Sequence, residues 1–98
     1  MDRAAILATL RAHQDDLIRA GIRHAALFGS VARGDAVPGS DIDVMIEFDP
    51  AAVPDVFTYA GIKDRIGELL PGRVDVVDRD ALRPAVRQNA LADLVYAF

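Results

Sequence analysis

Apolar and polar positions follow two different rhythms along this chain. From Arg3 to Arg19, Ile6, Leu7, Leu10, Leu17 and Ile18 recur at helical spacing, while Arg11, Asp15, Asp16 and Arg19 fall on the other side. The pattern predicts an amphipathic helix that Asp2 caps and Gly21 ends. His13 reads as partly exposed packing. Ile22 to Phe28 is an apolar run between two glycines and reads as a strand. Asp41 to Phe48, DIDVMIEF, alternates with a period of two and gives a second strand, stopped by Asp49-Pro50. After a connector from Pro50 to Pro54, a second amphipathic helix is expected over about Asp55 to Leu70. Its inward residues are Val56, Tyr59 or Ala60, Ile66, Leu69 and Leu70. Pro71-Gly72 stops it, and Arg73 to Val77 reads as a third strand. Asp80 and Pro84 mark the start of a last helix. There Leu82, Val86, Ala90, Leu94 and Phe98 repeat every four residues, with Leu91 and Val95 beside them.

The predicted order is α-β-β-α-β-α, an α/β or α+β arrangement with helices packed on one side of a small sheet. At 98 residues, 52% of them apolar, residues 1–98 read as one domain with a single core. The chain has no cysteine, which removes disulfides and thiolate zinc sites and is compatible with a reducing cytoplasm. No apolar run approaches the roughly 20 residues that cross a bilayer, and no signal peptide is visible at the N-terminus. The net charge is −4, with a single lysine and ten scattered arginines. That argues against direct binding of nucleic acid, which needs clustered positive charge.

Chemistry concentrates in Phe28 to Glu47, FGSVARGDAVPGSDIDVMIE. On a strand, Asp41 and Asp43 point to the same face, with Cα atoms roughly 6–7 Å apart at about 3.3 Å per residue. Ile42, Val44, Ile46 and Phe48 point to the other. Two carboxylates so placed repel unless a cation lies between them, and hard oxygen ligands suit Mg²⁺. Gly29-Ser30 follows a strand and opens a short helix, Val31 to Arg33, the context of a turn whose backbone N–H groups meet phosphate. Arg33 adds a charged contact to phosphate or pairs with Asp35. Ser40, beside Asp41, joins the candidate nucleotide-binding set. Asp75 lies mid-strand between valines, where a charge is out of place for packing, and is the candidate third carboxylate. Asp78 is the alternative, with an ordinary reading as a turn residue. Glu47 reads as a sheet-edge charge. Tyr59 and Tyr96 read as packed rings with their hydroxyls at the rim. No Gly-Lys-Ser/Thr follows the glycine turn, which excludes a Walker-type loop.

Gly-Ser, ten residues and Asp-x-Asp together resemble the signature of the polymerase-β-type nucleotidyltransferases. The fuller stretch, GSVARGDAVPGSDIDVMIEFDP, is similar to their smallest members, the minimal nucleotidyltransferases of the MntA type. Asp35 stands where that family often has glutamate. The resemblance covers nearly the whole chain and implies the nucleotidyltransferase fold, a small mixed sheet. It places the third aspartate in the V-D-[LV] context that Val74 to Val77 supplies. It implies Asp41, Asp43 and Asp75 as catalytic and metal-binding residues, with two Mg²⁺ ions. Gly29, Ser30, Arg33 and Ser40 would bind nucleotide, with ATP as substrate.

The resemblance further implies a cytoplasmic antitoxin that transfers AMP to a tyrosine of an HEPN-domain ribonuclease toxin, with no membrane attachment. Two rivals belong to other classes. One is an enzyme that adenylylates a small molecule such as an aminoglycoside. The other is a non-catalytic antitoxin that neutralises its partner by binding.

Overall fold

A computed structural model of the chain describes residues 2–53 and 55–98; Pro54, the last residue of the expected connector, lies outside them. In order, the elements are α1 (Arg3–Ala12), α2 (Gln14–Arg19), β1 (Ile22–Phe28), α3 (Gly29–Arg33) and β2 (Ile42–Phe48). They continue with α4 (Val56–Leu69), β3 (Val74–Asp78), a 3₁₀ turn (Arg79–Ala81), α5 (Pro84–Ala92) and β4 (Val95–Tyr96). The four strands form one mixed sheet in the order β3-β2-β1-β4. β1 runs antiparallel to β2 and β4, and β2 runs parallel to β3.

The core is built on one face of this sheet. Ile22, Ala25 and Leu27 of β1, Val44 and Ile46 of β2 and Val76 of β3 meet Ile6, Leu7 and Leu10 of α1, Leu17 of α2 and Ile62 and Ile66 of α4. Ile6, Leu10, Leu17, Leu27, Val44, Ile46 and Ile66 have no exposed surface, so burial at about 25 cal/mol per Å² of apolar area is what holds the helices on. The opposite face carries the polar set, Asp43 and Glu47 among it, yet Ala26 and Met45 are buried there too.

Four expectations are corrected. The first helix is two: His13 leaves the helical region at φ −103°, ψ 13°, and serves as N-cap of α2. The break keeps Leu17 in the core and turns Ile18, expected inside, to 46% exposure. Val56, also expected inside, is 77% exposed; α4 buries Ile62 and Ile66, and its first turn stands out from the core. Asp55 still caps α4, its carboxylate accepting the Thr58 N–H at 2.7 Å. At the far end, Asp80 lies in the 3₁₀ turn and α5 starts at Pro84 with Arg83 as its N-cap residue.

The last helix stops at Ala92, and the chain closes with an unexpected fourth strand, β4, on the edge of β1. A residue at every fourth position is also at every second, so the apolar repeat through Leu94 and Phe98 is compatible with both periods. The β1 edge decides: Ala97 N–H donates to Ala25 at 2.8 Å, and Arg11 Nε donates to the Ala97 carbonyl at 2.8 Å.

Candidate active site

Register brings the acidic residues together. Asp43 is the partner of Asp75 in the parallel β2/β3 pair, so the two side chains leave the same face on strands about 4.8 Å apart. On its other flank Asp43 is the partner of Phe28, the last residue of β1. The bend at Gly29 therefore starts one residue beyond the position facing Asp43. Asp41 lies just ahead of β2, which begins at Ile42 rather than at Asp41, and the Ile42 N–H donates to the Arg73 carbonyl at 2.8 Å. One central strand thus receives the glycine bend from one neighbour and the third carboxylate from the other.

Gly29 has a positive φ of 74°, and a Cβ there would lie 3.2 Å from the Asp43 Cγ and closer still to its Oδ2. Only glycine lets the bend approach the carboxylate so closely. No side chain caps the start of α3, which leaves its first amides to whatever binds beside Asp43.

Burial and like charge meet at Asp43. The Asp43 carboxyl is held above its ordinary range, first by burial, then by Asp75 and Asp41, with Arg33 opposing. Burial and like charge both disfavour the ionised form, and a divalent ion relieves both. Among the described residues, no three acidic or histidine side chains are already gathered as ligands. Asp41 is turned toward Arg73, Nε to Oδ1 at 3.6 Å. Both partners are largely exposed, so the pair is weak enough for a metal to displace. The oxygen-only donor set fits Mg²⁺.

Other candidates fall in other places. Arg33 is engaged in ion pairs, Nη1 to Asp93 at 2.9 Å and Nε to Asp35 at 3.1 Å, so it ties α3 to the end of α5 while its field reaches Asp43. Ser40 closes a turn with Val37: its hydroxyl accepts the Val37 N–H at 3.0 Å, and its own N–H donates to the Val37 carbonyl at 2.9 Å. Asp78 caps the 3₁₀ turn by accepting the Asp80 N–H at 3.0 Å, the ordinary turn role. Glu47 is not at a sheet edge. It lies on interior strand β2 and pairs with Arg79 at 3.1 Å. Tyr96 lies on β4, its ring edge-on to His24.

Comparison with known proteins shows the family. The model of the nucleotidyltransferase domain matches residues 10–97. The chain belongs to the nucleotidyltransferase domain family. It is 32% identical over 92 residues to the protein adenylyltransferase MntA of Thermococcus cleftensis, covering 93% of this chain and 91% of that one. A solved structure whose assignment as a minimal nucleotidyltransferase is itself provisional superposes with a TM-score of 0.71 at 33% identity, over 97% of this chain and 95% of the other. The MNT antitoxin in complex with a tri-AMPylated HEPN toxin of Shewanella oneidensis shares the fold, with a TM-score of 0.67 at 18% identity, over 98% of this chain and 71% of that one. No helix among the described residues of this nucleotidyltransferase is long and apolar enough to cross a membrane.

Within the nucleotidyltransferase, sequence reasoning missed two features of the site. One is the Arg73–Asp41 pair, which only the β2/β3 register creates. The other is the tie from Arg33 to Asp93, sixty residues away in the chain. Neither leaves a local signal.

Proposed function

We propose that this nucleotidyltransferase moves AMP from ATP to a tyrosine hydroxyl of a partner HEPN-domain ribonuclease toxin, and is thereby its antitoxin. The observation that carries the reading is the register that sets Asp43 beside Asp75 on one flank and beside the Gly29 bend on the other. The name of the Thermococcus relative and the AMPylated toxin in the Shewanella complex support the choice of AMP and of a protein acceptor.

Asp41, Asp43 and Asp75 would hold Mg²⁺, which when bound neutralises triphosphate charge and makes the acceptor hydroxyl more acidic. Gly29 and Ser30 bind the β and γ oxygens through backbone N–H groups at the uncapped start of α3. Asp75, on the far side of Asp43 from that bend, accepts the proton of the attacking hydroxyl, a role worth roughly 10²–10⁴-fold. The acceptor oxygen bonds to the α-phosphorus, the bond from that phosphorus to the bridging oxygen breaks, and pyrophosphate leaves. The Arg33–Asp93 ion pair holds α3, and with it the bend, against the end of α5.

The test is incubation of the protein with the product of the adjacent gene, Mg²⁺ and ATP labelled at either the α or the γ phosphate. Label from the α position on the partner, and none from γ, is the expected result. No transfer by protein that binds both ATP and partner would refute the reading.

A further inference from the structure

β3 is an outermost strand of the sheet, and a groove of about 580 Å³ runs along it against α4. Asp75, Val76, Val77 and Asp78 all line this groove. Successive side chains of a strand point to opposite faces, so four consecutive residues share one groove only through the strand's backbone edge. The Ile42–Arg73 hydrogen bond fixes which amides that edge presents. In a parallel ladder the N–H and C=O of a residue point to the same side and alternate along the strand. Arg73, Asp75 and Val77 therefore face β2, while Val76 and Asp78 turn their backbone groups into the groove. Among the described residues, no further strand pairs with them.

The groove ends at the proposed acceptor-side carboxylate. The spatial order across the sheet is the Gly29 bend, then Asp43, then Asp75, then the groove. Phosphate binding at the bend leaves the Asp75 flank for the acceptor. The lining is apolar at Phe48, Val53, Val56 and Leu82, and acidic at Asp55, Asp75 and Asp78. Lys63, the one basic residue, sits over the Tyr59 ring at 5.7 Å. Val56, in the groove lining, is 77% exposed, a large apolar residue that the fold itself leaves uncovered.

We infer that an extended, basic segment of the acceptor protein docks along the free edge of β3 as a fifth strand, presenting its hydroxyl side chain at Asp75. The inference rests on the transfer reading for the role of that hydroxyl, and on the open edge alone for the docking. Backbone pairing supplies affinity and alternate side chains supply choice, as in other strand additions. Basic side chains meet Asp55 and Asp78, and apolar ones meet Val53 and Val56.

The probe is a short peptide of alternating valine and arginine with a central tyrosine, added to the full chain with Mg²⁺ and a non-hydrolysable ATP analogue. Hydrogen exchange should slow at the Val76 and Asp78 amides, while Asp75 and Val77, already paired with β2, stay unchanged. Two peptides N-methylated on alternate residues, one set for each peptide edge, keep every side chain. One should bind at least about tenfold more weakly and the other as the parent does, since only one edge can face β3. Ala81→Arg, at an exposed groove position, should weaken the parent peptide similarly. Unchanged Val76 and Asp78 amides on peptide binding, or equal binding of both methylated peptides, would overturn the inference. So would protection that grows with protein concentration alone, which would make a second copy the occupant. ATP labelling of the peptide tyrosine is read separately. Docking without labelling counts against transfer and leaves the edge assignment standing, and labelling with unprotected edge amides does the reverse.

Discussion

Gly29→Ala tests the closest approach in the site. The residue holds φ 74°, a left-handed conformation that costs a non-glycine residue about 1–2 kcal/mol. For a domain of this size about 1 kcal/mol lowers Tm by roughly 4–8 °C. The new Cβ would also lie 3.2 Å from the Asp43 Cγ and overlap its Oδ2, so the carboxylate must move. A displacement of about 1 Å at a reacting centre costs on the order of 10² in rate. Gly34→Ala separates the two effects. Its φ is 81°, but nothing lies within 4 Å of the added carbon. Both variants should melt lower by similar amounts. Only Gly29→Ala should lose Mg²⁺-dependent ATP binding, measured by titration calorimetry, and AMP transfer, measured with labelled ATP. If Gly29→Ala matched Gly34→Ala in both assays, the contact between the bend and Asp43 would have no part in function.

Three further outcomes follow from the same geometry. The Asp43 carboxyl is held above its ordinary range by burial and by its acidic neighbours, so the folded chain keeps that proton to higher pH than the unfolded one. Its ionisation therefore removes stability as pH rises through that window. Asp43→Asn should raise Tm at pH 7 in a chelator, and added Mg²⁺ should lift wild type but not the variant; a lower Tm in the variant would show that the like-charge strain is absent. Asp75→Asn should cut transfer by roughly 10²–10⁴-fold while leaving α3 and the bend intact, so a transfer rate within a few-fold of wild type would remove Asp75 from the proton step. Under the proposed function, the double change Asp41→Asn with Asp43→Asn should still form the complex with the proposed toxin partner yet fail to silence it in a ribonuclease assay; silencing by the double variant would make occlusion the mechanism.

The period of β2 was legible because the chemistry of its residues alternates. Val44 and Ile46 alternate against Asp43 and Glu47, and β2 lies where that alternation put it. The Asp-x-Asp spacing and the Gly-Ser turn were legible for the same reason, since each is a local pattern. What the sequence hid depends on contacts between distant segments. The apolar repeat to Phe98 satisfies a helix and a strand equally, and the open edge of β1 resolves it. Val56 carries the character of a core residue but sits in the first turn of α4, which projects beyond the core. Arg33 has two acidic partners, and only Asp35 is near in sequence. The placement of Asp75 needed both: its position between valines marked it, and the register sets it beside Asp43.

On the proposed mechanism, carboxylates from two adjacent strands close on one divalent site beside a glycine bend. Crystals grown with Mn²⁺ and a non-hydrolysable ATP analogue test it directly through anomalous scattering at the Mn²⁺ edge. The expected result is a peak in contact with carboxylate oxygens of Asp41, Asp43 and Asp75, with the Arg73–Asp41 pair broken and the β and γ phosphates at Gly29 and Ser30. A peak elsewhere, or one that leaves Asp75 out while the phosphates lie away from the bend, would contradict it.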